Sequence, residues 1–260
     1  MAFPDKNYTL GKGKVFFDQF AAGTKIKTGE RYFGNTPEFN LTSESETLDH
    51  FDSDAGVRSK DDSVLLELNR TGTFITDHIS PENLALFFLG AASQVSQTSA
   101  TAVEESFTVK KGLWYQLGTA IRPEGVVNVS TFSMTDDADP TPGTIAASGN
   151  YEVDTANGRF RILPDAVAVA DGDVVIVTYD RGIATVNRVV TAGNAEVYGA
   201  MRFIATNPKG EKFNYYFPYV AIRPNGDFAL KGEEWQQLGF NVEVLKLDDT
   251  TESMYIANVE

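Results

Sequence analysis

The chain has 260 residues, no cysteine, two histidines and a formal net charge of −14. Those counts exclude disulfides, thiolate metal sites and a thiol nucleophile, and they leave too few imidazoles for a His-rich metal centre. The acidic balance also argues against a nucleic-acid clamp, which needs clustered Lys and Arg, while an acidic surface near DNA would repel it.

The opening "MAFPDKNYTL" lacks the basic and apolar regions of a signal peptide, and no run approaches a membrane span. The expectation is a soluble chain made in the cytoplasm, with no membrane partner. "VFFDQF" places Val15, Phe17 and Gln19 on one face and Phe16, Asp18 and Phe20 on the other, a strand buried mostly at its centre. Residues 39–54, "FNLTSESETLDHFDSD", alternate like a strand, yet neither face stays apolar. One face reads Phe39, Leu41, Ser43, Ser45, Thr47 and the other Asn40, Thr42, Glu44, Glu46, Leu48. A strand in a monomeric sandwich needs one oily face to hold its register, and this one does not supply it. "DSDAGVRSKDDS", residues 52–63, then reads as a long charged loop, either functional or mobile.

"ISPENLALFFLG" predicts one short helix at about 81–89, with Ser80 as N-cap, Pro81 at N1 and Gly90 in the left-handed C-terminal position. Ile79 has the staple spacing to Leu84, and Leu84, Phe87 and Phe88 form the stripe expected to pack on a sheet. Residues 94–109 repeat the long polar alternation and include Glu104. Residues 112–185 differ in texture: an Asp- and Pro-rich break, "YEVDTANGRFRIL" with Asn157-Gly158 at a hairpin turn, and the apolar run "DVVIVTY". They read as an inserted β subdomain. The remainder is a meander with turns at Asn207–Gly210 and Pro224–Asp227, so the class is mainly β.

No motif here carries chemistry. "GKGK" runs into a strand, where a P-loop needs a helix. With Asp49 as position 1, position 12 is Lys60 instead of the Glu that closes a calcium loop. Asp49-His50 and Asp77-His78 are chain neighbours on extended backbone, with side chains on opposite faces. Asn40, Asn69 and Asn128 match glycosylation sequons by chance, and Trp114 and Trp235 read as core or interface anchors. No catalytic residue, metal or cofactor is expected.

"GERYFGNTPEFNLTSESETLDHFDSDAGVRSKDDSV", "TFITDHISPENLALFFLG" and "GEKFNYYFPYVAIRPNGDFALKGEEWQQLGFNVEVL" together resemble the tail tube (major tail) proteins of long-tailed, siphovirus-like bacteriophages. The resemblance covers about 1–110 and 187–260. It implies a β-sandwich flanked by a helix in a discontinuous domain, 1–111 with 186–260, and a structural virion protein without enzymatic activity. Hexameric rings of copies would stack into a tube lined by a closed cylinder of strands. Implied partners are other copies, a tape-measure protein, a tail terminator and distal tail proteins, with DNA passing through the lumen unbound. In that setting Thr42, Glu44, Glu46 and Glu104 would face the lumen and repel phosphate. The loop carrying Asp52, Asp54, Arg58, Lys60, Asp61 and Asp62 would make salt-sensitive contacts between rings. The alternative reading is a β-sandwich recognising carbohydrate or a host surface through residues 112–185.

Overall fold

The computed structural model describes residues 8–54, 56–138, 141–191 and 196–258. In chain order the elements are β1 (Gly13–Gln19), β2 (Arg31–Tyr32), β3 (Glu38–Asp52), β4 (Ser59–Thr76), α1 (Pro81–Phe87), β5 (Gly90–Gln97), β6 (Ala100–Thr108), β7 (Trp114–Gln116) and β8 (Val129–Asp136). There follow β9 (Thr144–Ile145), β10 (Tyr151–Asp154), β11 (Arg159–Ile162), β12 (Val174–Arg181), β13 (Ala184–Thr191), β14 (Val197–Ala205), β15 (Phe213–Asn225), β16 (Leu238–Val244) and β17 (Tyr255–Asn258). The fold is mainly β, in several antiparallel sheets, with one short helix and no closed barrel among the described residues.

Two compact units divide the chain, Met1–Ser93 with Val189–Glu260, and Gln94–Arg188. The inserted unit therefore begins at Gln94, where the sequence suggested 112, and closes at Arg188 where it suggested 185. The difference comes from β6, whose residues 100–108 pair with β12 as part of the inserted unit's own four-stranded sheet. The chain leaves the first unit along β5 and returns along β13, and these two strands pair with each other.

The first unit is built on a large sheet in the order β2-β1-β14-β15-β16-β4-β3, with β17 added to β15. Alternation, with a register shift between Phe217 and Val220 of β15, puts Val15 and Phe17 of β1, Met201 of β14, Phe217, Val220 and Ile222 of β15, Phe240 and Val242 of β16 and Phe74 of β4 on one face, which is the core. Phe33, Phe74 and Phe240 pack ring on ring at its centre, with centroids 4.9–5.8 Å apart. Helix α1 adds Leu86 and Phe87 to the same core. The strand β15 runs on through Pro224 and Asn225, so the expected turn starts later than Pro224. Its neighbour β14 has already ended at the Val197–Ile222 pair, and a proline there interrupts no ladder on that side.

The helix is capped as its sequence dictates at one end only. Ser80 accepts a hydrogen bond from the Asn83 N–H at 3.2 Å, with Pro81 in the first turn. At the other end the left-handed residue is Leu89, φ 51°, and Gly90 already belongs to β5. Gly90 is needed for another reason: a Cβ there would lie 2.3 Å from the Val190 carbonyl oxygen. Of the expected stripe, Phe87 is buried and Leu84 packs on the core, whereas Phe88 sits at the C-cap, exposed, against Phe87 and Phe228.

The inserted unit holds two sheets, β6-β12-β8-β9 and β10-β11-β7, around a second core of Met134, Phe160, Ile162, Val175, Val177 and Tyr179 among others. The apolar run read from the sequence is the centre of β12, alternately buried. The Asn157-Gly158 hairpin joins β10 to β11, with Gly158 at φ 62°. The Asp- and Pro-rich break at 134–143 lies partly outside the described residues.

Candidate assembly surfaces

The polar stretch 39–54 and the charged stretch after it form one structure, a long β3–β4 ribbon. Paired residues run continuously from Glu38–Ile75 to Asp52–Ser59, with register shifts at Glu46/Thr47 and His50/Phe51. The loop expected over 52–63 is thus half strand. Asp52 ends β3, Lys60, Asp61 and Asp62 lie on β4, and only 53–58, with Asp54 and Arg58, connect the two. Polar side chains fasten this tip where apolar ones are missing. The Lys60 ammonium lies 2.6 Å from Asp49, Ser63 Oγ donates to the same carboxylate at 2.8 Å, and His50 Nδ1 lies 2.6 Å from Asp61. The Arg58 guanidinium covers the Phe51 ring at 5.2 Å. His50 therefore pairs across the ribbon and not with its chain neighbour Asp49.

The two bonds to Asp49 are expected to make the tip sensitive to acid. Hydrogen bonds from Lys60 and Ser63 hold the Asp49 carboxyl below its ordinary value of 3.8. A carboxyl lowered by folding contributes stability that is present above its unfolded value and is lost as pH falls through the folded one. Amide exchange at Asp49 and Ser63 should accelerate as pH drops below about 3.8, relative to the intrinsic rate, while the Phe74–Phe240 core keeps its protection. Asp49→Asn should remove that difference.

Both faces of the ribbon meet solvent beyond Leu41. Thr42, Glu44 and Glu46 lie opposite Thr71, Asn69 and Glu67. That row continues the face of the large sheet away from the core, because the intervening Phe39 and Phe74 turn inward. Asn241 and Glu243 of β16 and Arg223 of β15 extend it by register. Among the described residues Glu44, Glu46 and Glu67 have no cation within ion-pair distance, and like charges sit directly across from each other at Glu46 and Glu67. The same ribbon exposes Leu48, Val64, Leu65, Leu66 and Leu68. Leu66 falls at the first register shift, which brings Leu65 opposite Thr47 and Val64 opposite Leu48.

Glu104 is placed elsewhere. It lies on β6 in the inserted unit, exposed, and does not share a sheet with Thr42, Glu44 and Glu46. Similar alternation in the two stretches reflects two different sheets. Its neighbour Glu105, which the sequence did not single out, turns inward: it accepts from the Gly118 N–H at 2.9 Å and from the Tyr179 hydroxyl at 2.5 Å. Burial first, then this bond, pushes the Tyr179 phenol above its ordinary value.

The rest of the large sheet's outer face is aromatic and cationic. Tyr219 stacks between Phe20 and Tyr198 with centroids 5.9 and 5.5 Å away, and the Lys25 ammonium stands 4.8 Å over it. Tyr216 carries Arg202 at 4.4 Å and Lys27 at 5.1 Å. The guanidinium groups here are neutralised, Arg202 by Glu30 at 2.8 Å and Arg223 by Glu196 and Glu243 at 2.8 and 2.9 Å. Trp114, on the inserted unit, is not core: its exposed indole lies against the guanidinium groups of Arg159 and Arg161 at 4.6 and 5.4 Å.

A buried polar residue missed by the sequence reading anchors the helix. Asn83 donates from Nδ2 to the carbonyls of Phe33 at 2.9 Å and His78 at 2.8 Å, and its Oδ1 accepts from Arg31 at 2.7 Å. Burial lowers the Arg31 pKa, and the nearby Glu82 opposes that shift. Among the described residues no group of three or more His, Asp or Glu side chains is placed to hold a metal ion, and no helix is long and apolar enough to cross a membrane.

No curated protein matches the chain. Residues 8–255, nearly all of it, match the family described as "Protein of unknown function UCP028589", and the chain belongs to that family.

Proposed function

We propose that the chain is a structural subunit that assembles with copies of itself into stacked rings forming a phage-type tail tube, with the outer face of the large sheet turned to the lumen. The observation that carries this reading is the β3–β4 ribbon. Its leucines and valines are exposed on a ribbon too thin to bury them, and a lone two-stranded ribbon is at best marginal in water. Neighbouring copies supply the missing cover. Among the described residues β3 and β2 also end the large sheet without a further strand, and closing those edges copy to copy removes an aggregation hazard.

The lumen role of Glu44, Glu46 and Thr42 follows from their face and from charge. With Arg202 and Arg223 neutralised in place, Glu44, Glu46 and Glu67 make the ribbon's part of this face negative, apart from Lys25 and Lys27 over the tyrosines, and a polyanion passes such a strip without sticking. The E44K/E46K double variant should still assemble, because both side chains are exposed and unpaired. Assembled in the presence of duplex DNA and washed by sedimentation, its particles should retain DNA at low salt and release it as salt rises, whereas wild-type particles retain none. Variant particles that retain no more DNA than wild type would remove the lumen assignment.

A further inference from the structure

The loop from β15 to β16, residues 226–237, holds two apolar side chains almost wholly in water. Leu230 is 82% exposed and Trp235 92%. Trp235 borders a hollow with Asp77 and Ile79 but is not covered by it. Large aromatic side chains left in solvent are the typical anchors of protein association. Glu233 and Glu234 stand directly before this one.

The same unit offers an apolar groove of about 220 Å³, lined by Phe39, Leu41, Phe203, Tyr215 and Phe217. Next to Leu41 along that face of the ribbon, Ser43 pairs with Arg70. Arg70 donates to Ser253 Oγ at 2.8 Å and, among the described residues, has no carboxylate within ion-pair distance. An uncovered indole preceded by two carboxylates thus has a complement on the same chain: a ring-lined groove with an arginine at its rim.

We propose that Trp235 of one copy seats in the Phe39–Leu41–Phe203–Tyr215–Phe217 groove of a second copy, with Glu233 or Glu234 meeting the Arg70 at its rim. The proposal rests on the self-assembly reading and names the anchor of one of its contacts. Knob and groove are different surfaces, so the contact is heterologous and leaves every pair with one knob and one groove still free.

Sedimentation velocity on the purified chain tests this with two variants at exposed positions, Trp235→Ala and Leu41→Arg, whose unchanged thermal transitions would confirm folding. Each alone should raise the concentration needed for assembly at least tenfold. Mixed, they should recover one pairwise contact, because the Leu41→Arg chain keeps its knob and the Trp235→Ala chain keeps its groove. Labelled Trp235→Ala should then co-sediment with Leu41→Arg but not with itself. Trp235→Ala assembling at the wild-type concentration overturns the contact and leaves the tube reading standing. Failure of the mixed variants to pair overturns the assignment of knob to groove. A wild-type chain that stays monomeric removes the tube reading and this contact with it.

Discussion

Phe240→Ala is expected to lower the stability of the first unit by about 3–5 kcal/mol, the usual cost of removing a fully buried aromatic ring. Phe240 is wholly buried, with its ring 5.0 Å from Phe74, 5.8 Å from Phe33 and 6.0 Å from Phe87. Those neighbours come from β4, from the segment after β2 and from α1, so no single element can collapse into the cavity. The loss combines the transfer free energy of the ring with the contacts its neighbours forfeit. Phe240→Leu, which fills most of the space, should cost less than half as much. Equilibrium urea unfolding followed by a probe in the first unit measures both. A loss under about 1 kcal/mol for the alanine variant would mean that this aromatic cluster is not the centre of the core.

The second large effect concerns a hydrogen-bonding group. Asn83→Leu should destabilise the same unit by about 3 kcal/mol, although leucine is the better helix former. The substitution strips partners from the Phe33 and His78 carbonyls and from the Arg31 guanidinium at once. An unsatisfied buried group costs its full desolvation penalty, and Arg31 would lose the acceptor that Asn83 supplies in a site whose burial already disfavours its charge. Asn83→Asp keeps that acceptor and loses the two donated bonds, so it should fall between wild type and Asn83→Leu. If Asn83→Leu unfolds at the wild-type urea midpoint, the three bonds do not anchor α1.

These two residues mark what the chain's pattern revealed and what it hid. The helix start was legible because Ser80, Pro81 and the apolar spacing after them act through neighbours in the chain. The same holds for the Asn157-Gly158 hairpin and for β12. Asn83 was not legible, since a polar residue in a helix usually faces solvent and its partners at Phe33 and Arg31 are distant in sequence. The left-handed residue at Leu89 was hidden in the same way, because Gly90 is reserved by the close approach of Val190.

On the ribbon, alternation marked residues 39–54 as strand, which holds as far as Asp52, but could not show that 59–63 return alongside them. The ties between Asp49, Lys60 and Ser63 and between His50 and Asp61 form only once the register is set. Composition alone made a loop of that tip. Glu104 was grouped with Glu44 and Glu46 because two polar alternations look alike, and only strand pairing separates β6 from β3. The outward face of Thr42, Glu44 and Glu46 could be read from the phase of Phe39 alone, provided no register shift intervened. The first shift falls at Glu46/Thr47, just past these residues.

Assembly depends on copies of the chain covering one another's exposed ribbons, edges and knobs. Electron microscopy of the purified chain over a range of concentrations tests this most directly. Rings or tubes with an axial opening are the predicted result; particles that remain monomeric at the highest concentration, with Leu48, Val64 and Trp235 still in water, would contradict it.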